Sequence, residues 1–293
     1  MVFYMFPLVP GYRDKQKSIV FFVFPLMLGY RDKINDLALF VADSLSGLIP
    51  GHAIYSSPIR TRGSRRSQRL TVEMLVKQIN ESGGINGEPI QLFYYDDMSD
   101  ASASRNFATR MIEEDEVVAV IGGSGTGNSM AVIPVVEDAE IPFVSFSGGV
   151  EIIDPVREWV FKPPHTDLMA CEKIFEDMKV LGLSKAAVIS GQGGFAQSMA
   201  KQCAELAPKV GIEILVQESY GPRDSDITPQ LNRIRGTDGV EAVINADIGQ
   251  GPAIVTRNFR QLGMEQTLYM SHPAATQGYL ETVVLDDPSG TVP

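Results

Sequence analysis

Cysteine and histidine are scarce in this 293-residue chain, which has two of the first and three of the second. Cys171 and Cys203 each fall in a stretch of helical periodicity and neither belongs to a CxxC. Free cysteine is among the most buried residue types, so both read as buried or half-buried thiols. Scattered histidines with no Cys/His cluster argue against a zinc site. No G-x-S-x-G elbow, Walker loop or HExxH occurs, which leaves hydrolase and phosphotransferase readings without support. Basic charge is short as well: 25 Lys and Arg stand against 36 Asp and Glu, for a net charge of −11. An acidic body argues against nucleic acid as a partner. The strongly apolar run Ile19–Leu28 is only about ten residues and contains Pro25, too short and too interrupted to cross a bilayer as a helix.

Charge is unevenly spread. Residues 1–69 carry 10 Lys or Arg and 4 Asp or Glu, whereas residues 70–293 carry 15 and 32. The arginine cluster Arg60, Arg62, Arg65, Arg66 and Arg69 reads as a solvated loop or helix start. Residues 1–50 differ from the rest. FPLVPGYRDK (Phe6–Lys15) recurs as FPLMLGYRDK (Phe24–Lys33), and two copies are too few for a solenoid. Lys15 and Lys17 before the apolar run resemble the charged and apolar parts of a signal peptide, although no clean cleavage site follows at once. The segment reads as an extension of unknown role, a candidate targeting relic.

From Leu70 onward strand and helix patterns alternate. Leu70–Ser82 sets Leu70, Met74, Leu75 and Ile79 on one helical face. Ile90–Tyr95 is a strand and Ala101–Glu114 a helix. Asp96-Asp97, with no third acidic or histidine partner at fixed spacing, reads as a solvated turn or N-cap rather than a metal pair. Val117–Ile121 reads as a buried strand, Gly122–Gly127 as a glycine-rich loop, and Asn128 as the N-cap of the next helix. Phe143-Val144-Ser145 is a further strand, followed by the small polar loop Ser147-Gly148-Gly149. Pro163-Pro164 marks a boundary. Beyond it come a helix at Thr166–Leu181, a strand at Ala186–Ser190 and a helix at Ala196–Lys209. The strand Glu213–Ser219, helix Ile227–Arg235, strand Ala242–Asn245, helix Gly251–Leu262 and strand Leu268–Ser271 complete the pattern. Strands separated by helices predict parallel sheets with right-handed crossovers, hence two doubly wound α/β lobes in series. The expected division is an extension over 1–50, an incomplete N-terminal lobe over 51–162 and a nearly complete C-terminal lobe over 163–293.

Four stretches together resemble one family: ESGGINGEPIQLFYYDD, IGGSGTGNSMAVIPVVEDAEIPFVSFS, WVFKPPHTD and QLGMEQTLYMSHPAATQGYLE. They are similar to branched-chain amino-acid type periplasmic binding proteins, the extracytoplasmic solute receptors of ABC importers, which have the type I periplasmic-binding fold. The resemblance runs from about Leu70 to about Leu285. It implies two lobes that close over a small ligand, no catalysis, no cofactor, and a periplasmic or cell-envelope location. The implied partners are a small amino acid or organic or aromatic carboxylate and the importer's membrane permease subunits, the membrane being reached only through them. His52–Pro58 stands where the family has its first strand and loop. The chain stops near the point where family members cross back into the first lobe, so the C-terminal part of a full receptor is expected to be lacking.

Glycine-rich turns offer backbone N–H groups to a carboxylate without steric bulk, and a helix start behind them adds a favourable dipole. Mapped onto this chain, the family's ligand loops fall on Gly125-Thr126 and Ser147-Gly148-Gly149. Its ring-bearing residue matches Phe195, and an expected aromatic near Ile248 is missing. The acid that holds an α-ammonium would fall near Pro273, within Ser271-His272-Pro273, where no carboxylate stands. Asp247 is the nearest acidic candidate, and His272 follows a strand end. Gly149 stands where the amino-acid binders commonly offer a Thr, and losing both that hydroxyl and the acid suggests a ligand other than a plain amino acid, such as an organic or aromatic acid. Two further readings compete. Gly191-Gln192-Gly193-Gly194-Phe195-Ala196 fits GxGxxA, with Glu218 at the end of the next strand, the layout of a dinucleotide fingerprint in an NAD(P)-dependent oxidoreductase. A ligand-sensing regulator or receptor domain would present the same site as an importer's receptor.

Overall fold

The computed structural model describes the backbone of residues 52–56 and 64–276. Side chains are described from 68 to 276, with 279, 282 and 283 in addition. The 18-residue repeat, the apolar run Ile19–Leu28, Arg60, Arg62 and the side chains of Arg65 and Arg66 lie outside these bounds. No helix among the described residues is long and apolar enough to cross a membrane.

Two parallel sheets organise the molecule. The first has the order β2-β1-β3-β4-β5, formed by β1 (His52–Ser56), β2 (Gln91–Tyr95), β3 (Val120–Gly122), β4 (Phe143–Ser145) and β5 (Val160–Phe161). The segment that stands in the place of the family's first strand forms one here and sits between β2 and β3, with Ile54 opposite Phe93 and Val120. Helices α1 (Ser64–Glu81), α2 (Ala101–Glu113) and α3 (Thr126–Asp138) belong to this lobe. Val132, Ile133 and Val136 of α3 pack with Ala108 and Met111 of α2 and with Val120, Phe143 and Val160 of the sheet. On α1, Leu75 and Ile79 are half-buried while Leu70 and Met74 are exposed.

The second sheet has the order β7-β6-β8-β9, from β6 (Lys185–Ser190), β7 (Glu213–Ser219), β8 (Ala242–Ala246) and β9 (Thr267–Met270). Helices α4 (Asp167–Val180) and α5 (Gly194–Leu206) cover one face; α6 (Thr228–Arg235) and α7 (Gly251–Gln261) cover the other. All five residues of β8 are buried, as a central strand covered on both faces requires.

Local chemistry moved several expected boundaries. Val117 N–H donates to the Met111 carbonyl at 3.1 Å, which ties it to the end of α2, so the ladder of β3 begins only at Val120. Helix α3 starts at Thr126 behind Gly125; Asn128 lies inside its first turn rather than capping it. The Asn128 amide instead donates to Asp97 and Ser104, each at 2.8 Å. Asp97 is correspondingly buried, accepting also from Ser104 Oγ and from Ser99 N at 2.9 Å, and Asp100 takes the capping role on α2. The cysteines are not free thiols. Cys171 of α4 and Cys203 of α5 form a disulfide with Cα atoms 5.2 Å apart. Each helix places its cysteine on the face that packs against the other, a relation that a 32-residue separation in sequence does not reveal.

Candidate functional site

In both sheets the chain order reverses about a central strand, at β1/β3 in the first and at β6/β8 in the second. Ligands of open α/β sheets bind in the crevice outside the carboxyl ends of the strands at such switch points. Here the two carboxyl edges meet. The start of α3 from the first lobe lies against the start of α5 from the second. A Cβ on Gly194 would stand 2.7 Å from the Gly127 backbone nitrogen and 3.0 Å from its Cα. Only glycine allows two helix starts to approach so closely.

The loop after β4 makes the second contact across the crevice. A Cβ on Gly148 would meet the Phe195 ring at 2.6 and 2.9 Å and His272 Nε2 at 3.3 Å. Phe195, in the first turn of α5, is buried and meets His272 edge to face, with ring centroids 5.4 Å apart and planes at 87°. His165 completes the group, its ring 6.1 Å from that of His272. Gly148, Phe195 and His272, assigned to the site from sequence, are therefore brought together.

Other expected site residues face inward. Thr126 is buried, and its hydroxyl accepts the Gly149 N–H at 3.1 Å, joining the two first-lobe loops to each other. Gly125 is the N-cap residue of α3 and provides no side-chain cap. Ser147 differs most from expectation. Its hydroxyl donates to the Gly123 carbonyl and pairs with Ser129 Oγ at 2.7 Å, while its N–H donates to Ser145 Oγ at 3.2 Å. Both of its donors are thus spent inside the first lobe, and Ser147 shapes the loop rather than offering a group to the crevice. Asp247 accepts from the Tyr220 hydroxyl at 2.8 Å and from the Ile248 N–H. Its carboxylate fits because Gly191 and Gly251 leave it room. Burial, the largest influence, raises the Asp247 pKa, and its two hydrogen-bond donors oppose that. The same burial, with the Asp247 charge, drives the Tyr220 hydroxyl far above its ordinary range. Ile248 packs against the second-lobe core.

Two residues that matter here gave no functional signal in the sequence. Asp167, the first residue of α4, is fully buried and joins the lobes. Its carboxylate accepts from Val150 N at 2.8 Å in the first lobe, from Leu168 N at 2.9 Å, and from Ser198 Oγ on α5; its own N–H donates to the Gly148 carbonyl at 2.9 Å. Thr166 before it caps α4, and that part was readable. Lys162, after β5, donates to the carbonyls of Pro164 at 2.6 Å and His165 at 2.8 Å. Burial lowers its pKa to about 8, with the Asp167 charge working the other way. Burial first, then His165 and Lys162, lowers the His272 pKa to about 4, so this imidazole is neutral at pH 7.

The site gives the dinucleotide reading no support. Glu218 forms a two-pronged ion pair with Arg233, both contacts 2.7 Å, and Gly194 is closed against Gly127 where a pyrophosphate would approach. Among the described residues no cluster of three or more His, Cys, Asp or Glu is arranged to hold a metal.

Residues 56–287 match the family model for periplasmic binding proteins, and the chain belongs to that family. Among curated relatives it is 27% identical over 209 residues to Leu/Ile/Val-binding protein homolog 7 of Brucella suis, covering 64% of this chain and 51% of that one. It is 24% identical over 193 residues to an amino acid binding protein of Pseudomonas aeruginosa, covering 64% and 50%. The fold is that of the leucine binding protein LivK of Thermotoga maritima, with a TM-score of 0.70 at 20% identity, covering 81% of this chain and 67% of that one. An extracellular ligand-binding receptor of Rhodopseudomonas palustris superposes with a TM-score of 0.68 at 24% identity, covering 81% and 65%. The chain thus spans about half the length of the curated relatives and about two thirds of the solved structures.

Proposed function

We propose that this chain is the ligand-binding portion of an extracytoplasmic solute receptor that serves an ABC importer. In this reading a small amino acid or an organic or aromatic carboxylate is gripped between a first lobe over 51–162 and a second over 163–293. The observation that carries it is the meeting of two uncapped helix starts, at Gly127 and Gly194, across the facing carboxyl edges of two sheets. Such an arrangement offers backbone donors to a charged guest. Gly125, Thr126, Gly148 and Gly149 supply the first-lobe rim, with Ser147 holding its loop in shape. Phe195 and His272 form the facing wall, with Asp247 and Ile248 turned into the second lobe behind it.

Hinge motion about the segment between β5 and α4 would open and close the crevice, and permease subunits of the importer would receive the closed form. The names of the relatives, amino acid and Leu/Ile/Val binding proteins, support this role. The disulfide Cys171–Cys203 fits a protein that works in an oxidising compartment such as the periplasm. The test is mass spectrometry of small molecules retained by the purified protein, combined with small-angle scattering before and after their removal by unfolding and refolding. A single retained carboxylate class and an expansion on its removal are expected. No retained solute, together with scattering that never changes, would overturn the reading.

A further inference from the structure

The charge of the crevice goes further than its shape. Helices α3 and α5 begin there from opposite lobes, and their N-cap residues, Gly125 and Gly193, give no side-chain cap. Neither first turn contains a carboxylate. The N–H groups of both starts carry positive potential that no acidic side chain in their own first turns offsets. Three nitrogen bases stand beside them: Lys162 and His165 on the segment after β5, and His272 after β9. His272 Nε2 faces Gly148, while its Nδ1 is buried with no hydrogen-bond partner. The pKa values of Lys162 and His272 are both pushed down, and His272 is pushed further by the other two bases. Helix starts and the Lys162 ammonium therefore add with one sign, while His272 is neutral at pH 7.

Two of the carboxylates in reach are already committed, and a third, Glu151 beside Asp167, has its pKa raised by burial first and then by the Asp167 charge. Asp167 serves Val150, Leu168 and Ser198; Asp247 is turned into the second lobe, toward Tyr220 and the Ile248 N–H. Of the groups facing His272, Phe195 and Gly148 carry no charge, and from Asp247 the neighbouring Ser271 hydroxyl takes only the backbone carbonyl. A guest's carboxylate meets two helix starts and the Lys162 ammonium here, whereas an α-ammonium meets that like charge.

We propose that the crevice selects carboxylate solutes that carry no ammonium group, with Lys162 as their charge partner and His272 as a hydrogen-bond partner. This rests on the receptor reading above and names its ligand class. An anion beside Lys162 raises the pKa of that ammonium, so binding takes up protons and tightens as pH falls through about 8.

The experiment is isothermal titration calorimetry of the full chain with matched pairs: leucine against α-ketoisocaproate, and phenylalanine against phenylpyruvate, each in two buffers of different ionisation heat. The oxo acid of at least one pair should bind about tenfold tighter than its amino acid or better, with proton uptake. Lys162→Met and His272→Gln should each weaken that binding by about tenfold, and Lys162→Met should abolish the proton uptake near pH 8. Equal or tighter binding of the amino acids overturns the inference and leaves the receptor reading standing. Heat from none of the four solutes also overturns it, while the receptor reading is decided separately by retained solutes and scattering.

Discussion

At the scale of single residues, His272 has the most informative chemistry. Its native pKa of about 4 lies below the value of about 6.5 expected for the unfolded chain. Between those values the unfolded state binds more protons, so stability rises with pH across the window and is lost as pH falls through it. A His272→Gln variant should therefore lose less stability than the parent between about pH 7 and pH 4.5. Urea unfolding at both pH values should show a difference of about 1 kcal/mol, after discounting for partial exposure. His272 was legible as a candidate from its place after a strand. That it pairs with Phe195 and lies near His165 was not, because those residues are 77 and 107 positions away in sequence. Ser147 makes the same point in reverse. A serine beside two glycines reads as a ligand donor until its hydroxyl is seen to close on Gly123 within its own lobe.

Among the elements, α4 and α5 are the pair the sequence described least completely. Their helical periods and the Thr166 cap were readable, yet the disulfide between them was not. Cys171 and Cys203 are both fully buried in the second-lobe core, so their packing looks like that of any small apolar residue. Cross-linking this pair restricts the unfolded chain over a loop of moderate length. A Cys171→Ala/Cys203→Ala double variant should lose about 2–4 kcal/mol of stability. Denaturant titration of the two proteins would measure it, and a thiol assay on the unfolded, unreduced parent should find no free cysteine. The start of α3 shows why boundaries shift. Asn128 is a good N-cap by type, but Asp97 after β2 and Ser104 on α2 compete for its amide and hold it inside the first turn.

On the scale of the whole molecule, the two lobes are joined by contacts that leave little space. Asp167 ties the Val150 amide of one to the Ser198 hydroxyl of the other, and Gly194 sits on Gly127. Gly194→Ala separates these effects. Alanine in the first turn of α5 should favour the helix by up to about 1 kcal/mol, but its methyl would press on the Gly127 backbone, which cannot swing aside as a flexible side chain can. The variant should keep or gain second-lobe stability while its radius of gyration grows and its affinity for solute falls about tenfold or more. Small-angle scattering with calorimetry checks both halves of that expectation.

The sequence by itself determined the alternation of strands and helices, the glycine-rich turns at strand ends and the family. Those follow from periodicity and turn chemistry, which act over a few neighbouring residues. It also placed Gly148, Phe195 and His272 at the right strand ends, because in a parallel sheet the position of a loop is fixed by the strand before it. Only the tertiary structure decided which of these groups face the crevice and which turn inward. It alone joined Cys171 to Cys203, gave Asp167 its partners in both lobes, and committed Ser147 and Asp247 to their own interiors. Such choices are made by direct contact between atoms far apart along the chain, where a difference of one or two ångströms settles whether a hydroxyl or carboxylate is free or spent.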